Sequence, residues 1–96
     1  MSYKILFTKR ADREYKDLQR SRMKSVVAKA TRLLLEMKDT PRSGGGKPEI
    51  LKHYPGKEVW SRRLDKKNRI VYEIRDSEII VLVLSVTGHY DDKLRY

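Results

Sequence analysis

The sequence predicts one α+β domain in which two N-terminal helices pack on one face of a small twisted antiparallel sheet. The first half of the chain carries apolar residues at helical spacing, whereas the second half alternates extended segments with turns. The resulting order, β-α-α-β-β-β, is typical of helices layered on a sheet. A chain of 96 residues with 39% hydrophobic residues suits one modest core and not two, so residues 1–96 are assigned to a single domain.

The chain begins with a strand and a charged helix. Tyr3–Thr8 is short and rich in apolar and aromatic residues, which predicts the first strand. Thr8 is a suitable N-cap for a helix over residues 9–19, because a threonine side chain can accept a hydrogen bond from the first helical turn. The apolar stripe of this helix comprises Ala11, Tyr15 and Leu18.

The second helix is predicted from a longer apolar stripe. Ser21 is the expected N-cap, and Pro41 ends the helix because the residue before a proline is pushed out of the helical conformation. A stripe of this spacing is typical of a helix face buried in the core. Its members are Met23, Val26, Val27, Ala30, Leu33, Leu34 and Met37.

Three extended segments complete the predicted sheet. They are residues 59–64, 69–75 and 79–86, with a turn at 76–77 between the last two. A run of three glycines at 44–46 precedes them and predicts a flexible loop. It lacks the strand and helix that frame a phosphate-binding loop, which argues against nucleotide binding there.

Side-chain alternation predicts which residues of the hairpin between the first two of these segments face solvent. Arg63 and Arg69 fall on the face opposite the core, because successive side chains of a strand point to opposite sides. This arrangement requires a three- or five-residue turn around residues 66–67, since a two-residue turn would put Leu64 and Arg69 on the same side. The core-facing residues are Trp60, Leu64, Ile70 and Tyr72.

The charge balance indicates a polyanionic partner. Lys and Arg number 23 against 13 Asp and Glu, a net charge of +10, and nucleic acid is the first expectation for so basic a chain. The alternative is a charged surface that serves solubility alone. The absence of cysteine excludes disulfides and thiolate metal sites. Without a signal peptide or the roughly 20 apolar residues of a membrane span, we expect a cytoplasmic protein with no membrane contact.

Candidate functional residues are polar and lie on the predicted exposed face or at strand ends. Glu49 is the carboxylate of an otherwise mostly cationic set, and a lone exposed glutamate is more often a weak salt-bridge partner than a catalyst. The histidines and arginines also have the simpler interpretation of solvated charge. The whole set indicates a site, and it comprises Lys47, Glu49, Lys52, His53, Arg62 or Arg63, Arg69, His89 and Tyr90.

Four motifs within this set resemble those of a toxin family. They are GKPEILKH at 46–53, WSRRL at 60–64, NRIVYEI at 68–74 and GHY at 88–90. Together they are similar to the YoeB/Txe group of the RelE superfamily, bacterial toxins of toxin–antitoxin pairs, and the resemblance covers nearly the whole chain. It implies a ribosome-dependent endoribonuclease that cuts mRNA in the ribosomal A site without a metal or other cofactor, and so inhibits translation.

The resemblance also implies a role for each matching residue. Glu49 is expected to be the general base and His89 the general acid. Arg69 is expected at the scissile phosphate, and Tyr90 is expected to stack against the mRNA and position it. Substrate binding is expected of Lys52, Arg62 and Arg63. Lys47 and His53 lie within the matching motifs but are given no catalytic role.

These residue types suit the cleavage of RNA, whose own 2′-hydroxyl is the nucleophile. The enzyme needs a base for the proton of that hydroxyl and an acid for the departing 5′-oxygen, and each transfer contributes about 10²–10⁴-fold. Fixed guanidiniums then stabilise the charge that builds up on the phosphate. The expected products are a 2′,3′-cyclic phosphate and a 5′-hydroxyl, and DNA, which has no 2′-oxygen, should not be cut.

Partners follow from the resemblance and from the charge. A cognate antitoxin of the YefM/Axe type or similar, with an acidic, partly disordered C-terminal segment, is expected to cover the toxin, and operator DNA is contacted only through that complex. The ribosome is expected to bind through 16S rRNA, because counterion release gives basic helices affinity without sequence reading. The residues expected at the rRNA are Lys9, Arg10, Arg13, Lys16, Arg20, Arg22, Lys24, Lys29 and Arg32.

Two other functions remain open from the sequence. A ParE-like toxin would keep the fold and act on DNA gyrase, and a basic RNA- or ribosome-binding module would bind without cutting. The set of Glu49, Arg69, His89 and Tyr90 argues against the gyrase toxin, which does not need these residues. Residues 91–96 depart from the family, whose members commonly end at the HY pair, and Tyr96 could replace Tyr90 as the stacking ring.

Overall fold

The computed structural model describes residues 2–88, and its elements confirm the predicted α+β class. The predictions for His89, Tyr90 and the segment 91–96 lie outside the described residues. The described elements are β1 (Lys4–Phe7), α1 (Lys9–Arg20), α2 (Lys24–Met37), β2 (Glu49–Leu51), β3 (Glu58–Arg63), β4 (Arg69–Arg75), a 3₁₀ turn (Asp76–Glu78) and β5 (Ile80–Gly88).

The five strands form one sheet in the order β1-β5-β4-β3-β2. The pairs β3–β4 and β4–β5 are antiparallel as predicted, and β2–β3 is a further antiparallel pair. Strand β1 runs parallel to β5 at the edge, which departs from the predicted all-antiparallel sheet. The parallel pair joins the first and last described strands. Because these strands are far apart in the sequence, no turn signal between them indicates the pairing. The short strand β2 was also not predicted, because three residues after a proline give no alternation to detect.

Helix α1 begins as the sequence predicts. The Thr8 hydroxyl accepts a hydrogen bond from the Ala11 amide at 3.1 Å, which satisfies one of the free N–H groups of the first turn. Ala11 and Leu18 are buried and Tyr15 packs at the edge of the core. The predicted apolar stripe therefore faces the sheet.

The prediction that Ser21 caps the second helix is wrong. Ser21 ends α1, since its amide donates to the carbonyl of Leu18 at 3.0 Å, and α2 starts three residues later at Lys24. The Ser21 hydroxyl also donates to the carbonyl of Leu18, at 2.6 Å. Met23 consequently precedes the helix and is 41% exposed, so it drops out of the predicted core stripe.

Apolar side chains lie on both faces of the sheet. The main core lies between the sheet and the helices, and a smaller cluster covers the opposite face. That second cluster means the face predicted to be solvent-exposed is apolar over part of its area. Its members are Leu51, Val59, Val71 and Leu84, with Tyr54 and Leu82 packed against them.

The hairpin between β3 and β4 has the odd-numbered connection that was predicted. Arg63 and Arg69 are direct cross-strand partners, and residues 64–68 join them. The carboxylate of Asp65 accepts hydrogen bonds from the amides of Lys67 and Asn68, which closes the turn. Within residues 2–88, neither helix combines the length and the apolar composition needed to cross a lipid bilayer.

Candidate active site

Four strands bring candidate residues to one end of the sheet. Glu49 begins β2, Arg63 ends β3, Arg69 begins β4 and Gly88 ends β5. In the register of the sheet Glu49 lies opposite Ser61, and Arg69 lies between Arg63 and Gly88. Three strand spacings, roughly 14 Å, separate β2 from β5. Glu49 and the two arginines therefore lie at the same end of the sheet as the end of β5, which leads directly to His89.

The two arginines at this end of the sheet, Arg63 and Arg69, point to the face opposite the helices. Arg63 is exposed and Arg69 is partly buried. Because cross-strand partners project together, their shared face confirms the prediction from side-chain alternation. Like charges placed directly opposite each other are unfavourable in isolation. Such a pair is suited to an anion, and a phosphate group accepts hydrogen bonds from guanidiniums with the right geometry.

Glu49 is an exposed carboxylate beside a buried hydroxyl. Its cross-strand partner Ser61 is 0% exposed, and within residues 2–88 the Ser61 hydroxyl has no hydrogen-bond partner. The Cβ atoms of such partners lie about 5 Å apart on one face. Sequence reasoning passed over Ser61, although its place two residues before Arg63 puts it on the same face as the arginine.

The other residues near Glu49 flank β2. Lys47 precedes it by two residues and has a left-handed backbone, with φ of 50°. Lys52 and His53 follow β2 and are exposed. Three residues along a strand span about 10 Å, so Lys52 lies about that far from Glu49, beyond the far end of β2.

The expectation that Arg62 belongs to the exposed basic face is wrong. Its side chain is 0% exposed, and alternation places it on the helix side of the sheet, opposite Ile70. The guanidinium donates to five acceptors on three segments, namely α2, the loop that follows it and β4, and these bonds satisfy the buried charge. The acceptors are Tyr72 Oη at 3.0 Å, Glu36 Oε1 at 2.9 Å, and the carbonyls of Thr40 at 2.6 Å, Ser43 at 2.8 Å and Gly45 at 3.4 Å.

Tyr72 and the glycine run complete this cluster. The Tyr72 hydroxyl donates to the carbonyl of Pro41 at 2.8 Å, and burial raises the pKa of Tyr72, which keeps that proton in place. Gly44 has φ of 123°, and a Cβ there would collide with the Glu36 carboxylate. The glycines thus form a turn packed around Arg62. That turn leads directly to Glu49, and the carbonyl of Gly46 accepts from the Arg63 amide at 2.6 Å.

Hydrogen bonds and neighbouring cations lower the pKa of several carboxylates in the structure, so we expect the stability of the fold to decrease at acid pH. A hydrogen bond from the Gly45 amide, with further help from Arg62, lowers the pKa of Glu36. The Arg42 guanidinium lowers the pKa of Glu58 in the same way. Because the unfolded chain then binds more protons, the unfolding free energy should fall as pH drops below about 4.5 and through the lowered pKa values.

Urea unfolding between pH 7 and pH 3 measures this effect. Glu36→Gln should show a weaker pH dependence than the unmodified chain, since it removes one of the titrating groups. A midpoint that does not move over this pH range would contradict the prediction.

Comparison with solved proteins defines the class of protein. A YoeB/ParE toxin from Agrobacterium tumefaciens superposes with a TM-score of 0.79 at 34% identity, covering 91% of this chain and 99% of that one. YoeB in the heterotetrameric YoeB–YefM toxin–antitoxin complex from Staphylococcus aureus matches with a TM-score of 0.73 at 32% identity, over 94% of this chain and 100% of that one. RelE-type toxins share the fold. The protein is therefore a toxin of this structural class.

Sequence comparison narrows the class to a family. The toxin YoeB of Synechocystis sp. is 34% identical over 88 residues, which are 91% of this chain and 96% of that relative. The family described as YoeB-like toxin of bacterial type II toxin–antitoxin system matches residues 7–90. This chain belongs to the YoeB-like toxin family, which confirms the resemblance inferred from the four motifs.

Proposed function

We propose that this toxin is a ribosome-dependent endoribonuclease that cleaves mRNA in the ribosomal A site and thereby stops translation in the cytoplasm. The observation that supports this proposal most is that Glu49, Arg63, Arg69 and the end of β5 lie at the same end of the sheet. RNA cleavage by its own 2′-hydroxyl requires a base, cations and a general acid. Glu49 supplies the base, the two arginines supply the cations, and His89, which directly follows β5, supplies the general acid.

In the proposed reaction Glu49 takes the proton of the 2′-hydroxyl while that oxygen attacks the neighbouring phosphorus. The bond from phosphorus to the 5′-oxygen breaks, and His89 gives its proton to the departing oxygen. The products are a 2′,3′-cyclic phosphate and a 5′-hydroxyl. No metal or other cofactor takes part in this scheme, because a carboxylate, an imidazole and guanidiniums supply all proton transfers and charge stabilisation.

The remaining residues bind and orient the RNA. Arg69 contacts the scissile phosphate, and Arg63 and Lys52 contact phosphates beside it. Tyr90 stacks on an unpaired base, which is the usual way in which proteins hold single-stranded RNA. Arg62 is not assigned to the substrate, since its buried guanidinium is already bonded to the loop before Glu49.

The partners in this proposal are the ribosome, mRNA and an antitoxin. Many basic residues of α1 and α2 are exposed and provide a surface for the phosphates of 16S rRNA. The S. aureus relative in its complex with YefM supports a cognate antitoxin. In this proposal the antitoxin has an acidic segment that matches the net charge of +10, and the toxin contacts operator DNA only through the antitoxin. The exposed members of the basic set are Lys9, Arg13, Lys16, Arg20, Arg22, Lys24 and Arg32.

Mapping of RNA 5′ ends in cells tests the proposal. Expression of the unmodified toxin should produce cuts in translated mRNA at positions fixed relative to the reading frame, and His89→Gln should abolish them. His53→Gln is the matched control, because it makes the same change at the exposed histidine that has no assigned role, and it should cut normally. DNA damage without RNA cuts would support a gyrase toxin instead, and binding to ribosomes with neither effect would support a non-catalytic module.

A further inference from the structure

Strand β5 is irregular just before it reaches the candidate site. Along β4, Arg69, Val71 and Tyr72 lie opposite Gly88, Ser85 and Val83 of β5, with register shifts between successive pairs. Strand β5 thus advances one residue more than β4 in each interval. Extra residues of this kind form bulges, in which the backbone groups of the bulged strand lose their partners across the ladder.

Glu14 of helix α1 supplies one of the missing partners. One of its carboxylate oxygens accepts a hydrogen bond from the Val86 amide at 3.0 Å and another from the Ser85 hydroxyl at 2.8 Å. The other oxygen accepts from the Arg10 side chain at 3.1 Å. Burial acts to raise the pKa of Glu14, but these hydrogen bonds outweigh it and lower the pKa, so the group is a carboxylate at neutral pH.

Thr8, which begins the same helix, holds the residues just before Ser85. Its amide donates to the carbonyl of Val83 at 3.0 Å, and its hydroxyl donates to the carbonyl of Leu84 at 3.2 Å. The first two turns of α1 and its cap therefore bind four consecutive residues of β5. The bulged segment is attached to the helix layer as well as to the sheet.

We propose that Glu14 is a positioning residue of the active site, which fixes the register of the bulged end of β5, the strand that directly precedes His89 in the chain. The inference rests on the proposed function. Val86 is 0% exposed, so without Glu14 its amide would be a buried donor lacking an acceptor. A strand that slips by one residue to recover a regular ladder turns every following side chain to the other face. Gly88 is the register partner of Arg69, and His89 follows it in the chain, so such a slip would change which residues of this strand lie next to Arg69.

Cleavage of mRNA on programmed ribosomes tests this role in the intact toxin. Glu14→Ala should lower kcat by about 10²-fold, which is the loss expected when a catalytic group is misplaced by about 1 Å. KM should change by less than about threefold, because the basic surface that binds the ribosome is retained. Glu14→Gln keeps an oxygen that can accept from Val86 and Ser85, and it should restore kcat to within about threefold of the original value. The control is Glu78→Ala, which removes an exposed carboxylate beyond the other end of β5.

Amide hydrogen exchange of the peptide covering residues 84–90 provides a readout that does not need activity. Glu14→Ala should exchange faster there than the original chain and Glu14→Gln, while peptides from α2 stay unchanged. Equal exchange in all three proteins overturns the proposal, as does full kcat in Glu14→Ala. If the unmodified toxin cuts no mRNA, the proposed function fails, and the exchange result still decides whether Glu14 fixes the end of β5.

Discussion

Glu49→Gln is expected to lower kcat for mRNA cleavage on programmed ribosomes by about 10²–10⁴-fold. Glutamine has the size and polarity of the original side chain, but its amide cannot take the proton of the 2′-hydroxyl. Glu49 is exposed at the start of β2, so the substitution leaves the core and the sheet pairing intact. KM should stay nearly constant, because the interaction lost is made only as the proton moves.

The pH dependence of this variant separates a base from a merely electrostatic residue. In the original toxin kcat/KM should fall on the acid side of its pH profile, as general-base catalysis requires, and Glu49→Gln should lose that acidic limb. Glu78→Gln provides the control, since it makes the same exchange at an exposed glutamate far from the site. A variant at Glu49 that retains kcat within about threefold would assign the base to a different group.

Local rules were enough to place the two helices and the two arginines of the candidate site. Helical spacing located both helices. The period of two along β3 and β4 correctly placed Arg63 and Arg69 on one face of the sheet. Both rules act between residues close in sequence. The loop length followed from the same parity, because only an odd number of residues between the strands keeps Leu64 and Ile70 in the core.

What the sequence did not show depends on contacts between distant segments. Arg62 and Arg63 are adjacent and chemically identical, yet one is buried and the other exposed. From the sequence Arg62 was expected to bind substrate, because nothing in the sequence shows that Glu36 and the carbonyls of Thr40 and Ser43 would receive its charge in the core. The bulges of β5 and their link to Glu14 are hidden for the same reason, since more than 70 residues separate the partners.

Arg62→Met is expected to lower the free energy of unfolding by about 3–5 kcal/mol, because the substitution removes the five hydrogen bonds that the buried guanidinium donates, and a hydrogen bond with a charged partner contributes about 1.5–3 kcal/mol. Methionine fills part of the space but donates no hydrogen bond. Glu36 then loses its cation, and the carbonyls of Thr40 and Ser43 lose their donor. Most domains have only about 5–15 kcal/mol of stability in total, so the variant should unfold at much lower urea concentration.

Arg63→Met is the matched control, since it makes the same exchange one residue further on. Arg63 is exposed, so its loss should change the unfolding free energy by no more than about 0.5 kcal/mol. Cleavage should show the opposite pattern, with Arg63→Met folded but impaired because a phosphate contact is gone. Arg62→Lys should lie between Arg62→Met and the original chain, because one ammonium has three donors and cannot serve all five acceptors. Equal stability of the two methionine variants in urea would mean that the turn before Glu49 is held by its glycines and Tyr72, and that the buried guanidinium is dispensable.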